Sequence, residues 1–371
     1  MELDISGIAT NDYMKECLDR IRGRSVYLYG AGSFGREICL FLRDNGVDIC
    51  GFLDQRAAEI KEYCGKPVYT LEEAPEAKKR ENTLVLFSIV MDKDERRKVI
   101  NAIEKSGYSH VEEAQFYRSI QIIPEDLLGR ELGEYYIAKR DRIREAYDSL
   151  GDEKSRRIYG ANIKAHFCKD FSECPQWEDA MAEQYFPRDI ALTAGYGRTV
   201  DCGGFVGDTV ESLLENRSDV RSVAVFEPDI CNFRHMTEAC EGKKVQIICF
   251  PCAVSDSTGF QSFSSAVGSG SLCDEGDTRI MSIALDEALI GYAPSFIKMD
   301  IEGAELRALT GAKRMICESV PDLAICVYHH INHLWDILLL LRSWKLGYKF
   351  YLRNYNAYTM ETVLYATRGE D

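Results

Sequence analysis

The run Val200-Asp201-Cys202-Gly203-Gly204-Phe205-Val206-Gly207-Asp208-Thr209 reads as a buried strand that ends in an acid and turns through glycines into a helix. Two further apolar runs behave in the same way. Ser222 to Phe226 stops at Glu227, 26 positions after Asp201, and Phe296 to Met299 stops at Asp300. Near-continuous apolar runs of this length are what parallel strands covered on both faces require. Three strands of one parallel sheet thus deliver an acid each to the same edge. The glycines let the backbone approach a ligand closely, and the helix that follows offers unpaired N–H groups. A carboxylate at 227 is placed to accept both hydroxyls of a ribose, so the stretch reads as a nucleotide-binding turn.

At 371 residues the chain is long enough for two domains with separate cores. In its first part, residues 1–22 pattern as an amphipathic helix. Ser25 to Tyr29 is a strand, Gly30-Ala31-Gly32-Ser33-Phe34-Gly35 a glycine turn, and Arg36 to Asn45 a helix. Val47 to Leu53 then runs as a strand to Asp54. This is GxGxxG between a strand and a helix, with an acid at the expected remove. A strand over Thr83 to Phe87, a helix over Asp94 to Lys105 and an edge over Gly107 to Val111 complete a small Rossmann-like unit, residues 1–115. Gly30, Gly32, Gly35 and Asp54 are the contacts of a second nucleotide or nucleotide-sugar site; the other reading is a turn kept for close packing of helix on sheet.

Residues 116–180 carry apolar positions at helical spacing and form a helical connector, and residues 181–371 form the larger domain. No Pro/Gly/Ser-rich linker separates the halves, which predicts packed rather than tethered domains. The larger domain continues with a strand over Gln246 to Cys249, a Ser/Gly-rich loop from Ser262 to Ser271, a strand over Leu323 to Tyr328 and a helix over Leu334 to Trp344. Tyr348 to Leu352 and Thr362 to Ala366 flank the turn signal Asn354-Tyr355-Asn356. They are expected to pair as an antiparallel hairpin that completes a seven-stranded sheet.

A formal charge of −15 argues against nucleic acid, because phosphate backbones call for clustered Lys and Arg. No apolar run has the length of a membrane span, and the start of the chain lacks the basic residues and apolar core of a signal peptide. A cytoplasmic location, with no membrane or nucleic-acid partner, is expected; a homo-oligomer is compatible. The 14 cysteines are scattered rather than paired at short spacing, which fits free buried thiols. Cys249 and Cys252 have CxxC spacing, but Cys168 and Cys174 do not supply the second pair that zinc needs.

The motifs taken together resemble the FkbM family of S-adenosylmethionine-dependent methyltransferases. Those motifs are Tyr185-Phe186, VDCGGFVGDT at 200–209, FEPD at 226–229, AVSD at 253–256, KMDIEGAE at 298–305 and VYHH at 327–330. The resemblance covers roughly residues 180 to 370. It implies an α/β fold: a seven-stranded class I methyltransferase domain, here preceded by the smaller Rossmann-like domain and the connector. It implies S-adenosylmethionine as cofactor, with Asp201, Gly203, Gly204, Gly207, Asp208, Glu227, Ser255 and Asp300 around it. Gly204 is a departure, since the family more often has alanine there; the extra freedom is not expected to affect binding. Residues 24 to 75 resemble the N-terminal domains of bacterial sugar acyltransferases, which points to a small-molecule or glycan hydroxyl as methyl acceptor.

For the chemistry, Asp300, Glu302, His329 and Lys298 are the catalytic candidates. Methyl transfer needs alignment of donor and acceptor and removal of a hydroxyl proton. Asp300 and Glu302 each suit that removal, or together they could bind a divalent cation; no metal site is the expectation. His329 closes a strand at the acceptor edge and is either a base or a histidine satisfied by backbone. Lys298 either pairs with a carboxylate or points to the rim, and Glu305 is expected on a helix surface. Two other functions stay open: a nicotinamide-dependent oxidoreductase using Gly30 to Gly35 and Asp54, which lacks a Tyr-x-x-x-Lys hydride site, and a non-catalytic nucleotide-sugar-binding protein.

Overall fold

The computed structural model describes residues 7–8, 13–75, 82–89, 91, 93–114, 127, 130–175, 179–266, 269–273 and 278–369. Residues 1–6 and 9–12 of the expected first helix, and 267–268 of the expected Ser/Gly loop, lie outside them. The chain divides into two compact units, residues 9–121 and residues 1–8 with 122–371.

In the first unit α1 (Tyr13–Ile21) leads to β1 (Ser25–Tyr29), α2 (Ser33–Asp44), β2 (Gly51–Leu53), β3 (Glu62–Tyr63), β4 (Lys66–Tyr69), β5 (Thr83–Phe87), α3 (Lys93–Lys105) and β6 (His110–Glu113). The sheet order is β3-β4-β2-β1-β5-β6, parallel except for the β3–β4 pair. The strand expected from Val47 shrinks to Gly51–Leu53, because Val47 and Ile49 enter the core as parts of the connection rather than as ladder residues.

The second unit opens with α4 (Leu132–Asp148) and α5 (Glu153–Cys168), the helices expected as a connector. They share one apolar core with the strands of the larger sheet, through Tyr135, Ile143, Tyr159 and Phe167. There follow β7 (Arg198–Cys202), α6 (Asp208–Asn216), β8 (Ser222–Phe226), α7 (Ile230–Cys240), β9 (Gln246–Phe250) and β10 (Ala253–Val254). Then come β11 (Gly259–Ala266), β12 (Ser269–Cys273), β13 (Thr278–Ile283), α8 (Leu285–Ala288), β14 (Phe296–Met299), α9 (Glu305–Gly311) and α10 (Lys313–Ser319). The chain closes with β15 (Asp322–Cys326), α11 (His333–Ser343), β16 (Lys349–Asn354) and β17 (Thr362–Thr367).

The large sheet has the order β16-β17-β15-β14-β7-β8-β9. Six strands run in one direction, and β17 runs antiparallel between β15 and β16, as the hairpin signal predicts. The Ser/Gly-rich segment is a correction. Its described part is not a loop but β11 and β12, which pair antiparallel and join β13 and β10 in a four-stranded sheet. A loop-like composition is here overridden by backbone pairing along β13. The strand expected to run to Tyr328 ends at Cys326, so His329 stands beyond the ladder.

The glycine turn after β7 is shaped by packing. Gly203 has φ +87, and a Cβ there would lie 1.9 Å from the carbonyl oxygen of Asp300, so the tips of β7 and β14 meet only because it is glycine. A Cβ on Gly204 would lie 2.4 Å from Val225 Cγ1 and 2.5 Å from Met236 Sδ. Where the family more often has alanine, Met236 of α7 fills the space. Gly204→Ala is therefore expected to overpack this seam at about 1–3 kcal/mol, read from the denaturant midpoint. Met236→Ala in the same chain should give part of that back non-additively; simple additivity would contradict the packing account.

Candidate functional site

Strand order reverses between β7 and β14, the position at which an open α/β sheet leaves a crevice outside its carboxyl ends. A cavity of about 330 Å³ occupies that place, lined by Gly203, Phe205, Glu227, Val254, Asp300 and Tyr328 among others. Its size is at the low end of small-molecule sites.

One end is organised by Glu227. Its Oε2 accepts the Phe205 N–H at 2.9 Å and its Oε1 the Asp229 N–H at 2.8 Å. A carboxylate has about four lone-pair positions, so two remain for a ligand. Burial raises its pKa to about 6, the two backbone N–H bonds opposing the shift.

At the sheet's centre Lys298 and Asp201 face each other across β14 and β7, with Nζ and Oδ1 2.9 Å apart and both side chains buried. The ammonium also donates to the Gly203 carbonyl at 2.6 Å. Burial alone would lower the lysine's pKa, but Asp201 and then Asp300 raise it above the ordinary value.

The other end is a cluster of acids and phenols. The Tyr185 hydroxyl donates to Asp300 Oδ2 at 2.9 Å, and the Tyr328 hydroxyl lies 3.3 Å from Asp300 Oδ1 and 3.4 Å from Glu361 Oε1. Gln184 Nε2 donates to Glu361 Oε2 at 2.7 Å. Burial, followed by the negative charge of Asp300, raises the Glu361 carboxyl to about 7. His329 Nδ1 donates to Glu305 Oε1 at 2.9 Å, while Nε2 lies 3.5 Å from both Asp300 Oδ1 and Glu302 Oε2. Burial on its own would lower the imidazole's pKa, but Glu305, with help from Glu302 and Asp300, raises it to about 10.

The sequence profile of the methyltransferase FkbM domain matches residues 194–350. A crystal structure of a methyltransferase FkbM from Methylobacillus flagellatus KT is similar over 98% of this chain and 94% of its own, with 22% identity and a TM-score of 0.67. Residues 194–350 form a methyltransferase FkbM domain. Fainter likenesses are to a methyltransferase from Geobacter sulfurreducens (14% identity, 62% of this chain and 96% of that one, TM-score 0.32) and to the SAH-bound Podospora anserina methyltransferase PaMTH1 (10%, 76% and 99%, TM-score 0.30). No curated protein matches the chain. The fold is that of a methyltransferase.

Within the methyltransferase domain, Gly203, Asp208, Glu227, Lys298, Asp300 and Glu302 line the cavity. Gly204 and Gly207 do not; they face Met236 and Ala239 of α7. Asp201 stands behind Lys298 and acts on the cavity only through it. Ser255 is buried and turned aside, its hydroxyl accepting from Gln261 Nε2 at 3.1 Å, while Val254 and Ala253 take the cavity wall. His329 is held by a carboxylate, neither free nor satisfied by backbone.

Glu305 is a correction. It is fully buried at the start of α9 and accepts the Ile301 N–H at 3.1 Å and the Gly303 N–H at 3.4 Å as well as His329. The expected place was a helix surface, but it caps the turn after β14, where backbone donors need an acceptor. Burial would raise its carboxyl, yet His329 and His333 hold it well below the usual range. Glu361, Tyr328 and Gln184 were not singled out by the sequence reading. Tyr328 sits inside VYHH and could have been found there; nothing in the pattern around Glu361 distinguishes it. Among the described residues no helix is long and apolar enough to cross a membrane, and the cysteines with described side chains are free thiols.

In the first unit, a Cβ on Gly30 would meet Ile89 Cγ1 at 2.4 Å, and one on Gly35 the Gly30 carbonyl oxygen at 2.1 Å; only Gly32 has open space. Asp54 accepts the Ala31 N–H and three donors of Arg56, its backbone N–H, Nε and Nη2. Packing and this pair account for the turn.

The raised His329 value carries a stability prediction. A histidine whose folded pKa lies above its unfolded value near 6.5 contributes stability that is fully present below that value and lost as pH rises through about 10. Thermal melts across this window should show a steeper decline for the wild-type chain than for His329→Gln. Equal slopes would remove the Glu305–His329 pair as an ionic contact.

Proposed function

We propose that the methyltransferase domain uses S-adenosylmethionine to methylate a hydroxyl of a sugar or glycan-related acceptor. The observation that carries this reading is one cavity with a half-satisfied Glu227 carboxylate at one end and the Asp300 cluster at the other. S-adenosylmethionine, when bound, supplies a methyl group already activated by the positive charge on sulfur. The residues present fit its nucleoside part: Glu227 has two acceptor positions for ribose hydroxyls, and Val254 with Phe226 gives an apolar wall.

The chain's own work is alignment and proton removal. Holding the partners in line is worth about 7–11 kcal/mol, and a positioned base on the order of 10²–10⁴-fold. His329, held as an imidazolium by its carboxylates, is a poor base at neutral pH, so the proton goes to Asp300 or Glu361. The wall of carboxylates, phenols and the Gln184 amide suits an acceptor rich in hydroxyls, and a chain with charge −15 disfavours an anionic one.

Calorimetric titration with the demethylated product, S-adenosylhomocysteine, tests the cofactor. Glu227→Ala should weaken binding at least ~100-fold, since it removes two hydrogen bonds to a charged group at about 1.5–3 kcal/mol each. Wild-type affinity should also fall as pH drops through about 6, where the Glu227 carboxyl takes up its proton and loses acceptor capacity. No binding by the wild-type protein would end the proposal.

Acceptor chemistry is tested separately by Asp300→Asn and Glu361→Gln. The variant lacking the base should lose about 10²–10⁴-fold in turnover with product affinity within a few-fold of wild type. Undiminished turnover in both would place the base elsewhere.

A further inference from the structure

We propose that His329, Asp300 and Glu302 form a binding site for a divalent first-row cation of the Mn²⁺ class, facing the acceptor end of the cavity. The His329 side chain is 5% exposed, and its Nε2 makes no hydrogen bond although it is enclosed. That nitrogen is aimed at Asp300 Oδ1 and Glu302 Oε2, 3.5 Å from each, and a cation binding there would take the place of the proton that the imidazolium carries on it. For metal bonds of about 2.1 Å, ligand atoms stand roughly 3.0–3.5 Å apart, which is the distance of each of these carboxylate oxygens from Nε2. Asp300, Glu305 and His329 also bring one donor atom each within 4.8 Å of one another.

Glu305 determines which of these are ligands. Its Oε1 takes the Nδ1 proton of His329, and it is fully enclosed and tied to the Ile301 and Gly303 N–H groups. A metal-binding histidine characteristically gives its other ring N–H to a carboxylate, which fixes the ring and leaves the second nitrogen for the metal. Glu305 is thus a positioning residue behind His329. Glu302 completes the set from the turn after β14, where it holds a left-handed backbone at φ +54. A non-glycine residue kept in that conformation is the kind of local cost that functional sites carry.

One imidazole with two carboxylates suits first-row divalent ions better than calcium, and the remaining coordination positions open toward the cavity. Resting on the methyl-transfer reading, the ion's part would be to make the acceptor hydroxyl a stronger acid. The hydroxyl proton then passes to Glu361, and the oxygen forms its bond to carbon as the carbon–sulfur bond breaks, the electron pair leaving on sulfur.

The test is titration of chelator-treated full-length protein with Mn²⁺ alone, followed by electron paramagnetic resonance. One site is expected, with nitrogen hyperfine coupling from an imidazole. Glu305→Gln should weaken it about 10–100-fold, and His329→Gln should remove the nitrogen coupling. Glu302→Gln, at the half-exposed turn, weakens binding without disturbing the core and serves should the buried variants fail to fold. Absence of a bound ion in the wild-type protein, or a site that survives Glu302→Gln and His329→Gln unchanged, overturns the proposal. Product titration in parallel separates the two ideas: product binding without Mn²⁺ binding sinks the ion site alone, and Mn²⁺ binding without product binding sinks the methyl-transfer reading while the ion site stands.

Discussion

The ion pair between Asp201 and Lys298 lies at the one point of the large sheet where strand order reverses, and the cavity is built around it. Its two side chains stand directly opposite in the β7–β14 register. Enclosing two charges carries a desolvation penalty that Coulomb attraction only partly repays, so the pair is weak as a source of stability. What it does is positional. A one-residue slip of β14 would leave both charges buried and alone, and the ammonium also holds the Gly203 carbonyl. The turn that opens the cavity is thereby tied to the strand that delivers Asp300.

That tie explains why the two ends of the cavity behave differently. At the Glu227 end the carboxylate is met by backbone N–H groups, which neutralise it without adding charge. At the other end Asp300, Glu302, Glu305 and Glu361 crowd together. In a partly dry site such crowding is relieved by taking up protons or by gathering cations. Burial and then the charge of Asp300 lift Glu361 to about 7, and against the effect of burial Glu305 lifts His329 to about 10. The Asp300 end is an electrostatic sink, and on the proposed methyl-transfer reading a hydroxyl entering it meets groups able to take its proton.

Much of this was legible in the sequence because it depends on strands. Apolar runs ending in acids located β7, β8 and β14, and the turn signal at Asn354 to Asn356 located the closing hairpin. The failures share a physical cause. Glu305 was misplaced because an acid on a helix is ordinarily solvated, whereas the first residue of this helix answers to the backbone donors before it. The segment from Ser262 was misread because pairing with β13 comes from residues distant in sequence. Glu361, on the far side of the sheet order, reaches the cavity only once β17 is inserted beside β15. Ser255 follows Val254 of the cavity wall in the chain, but its hydroxyl accepts from Gln261.

The two glycine turns show what separates a ligand site from a packing device. Both follow a buried strand, both precede a helix, and both are answered by an acid at the end of the next strand. In both, most of the glycines are explained by atoms of the protein itself: Gly30 and Gly35 by Ile89 and a carbonyl, Gly203 and Gly204 by Asp300 and Met236. The glycines therefore do not discriminate. The acids do. Asp54 accepts four donors, all from Ala31 and Arg56, which fills a carboxylate's lone-pair positions. Glu227 accepts two, and its other two positions face the cavity. On the proposed reading, a turn serves as a nucleotide site where its acid is left half-satisfied by the fold.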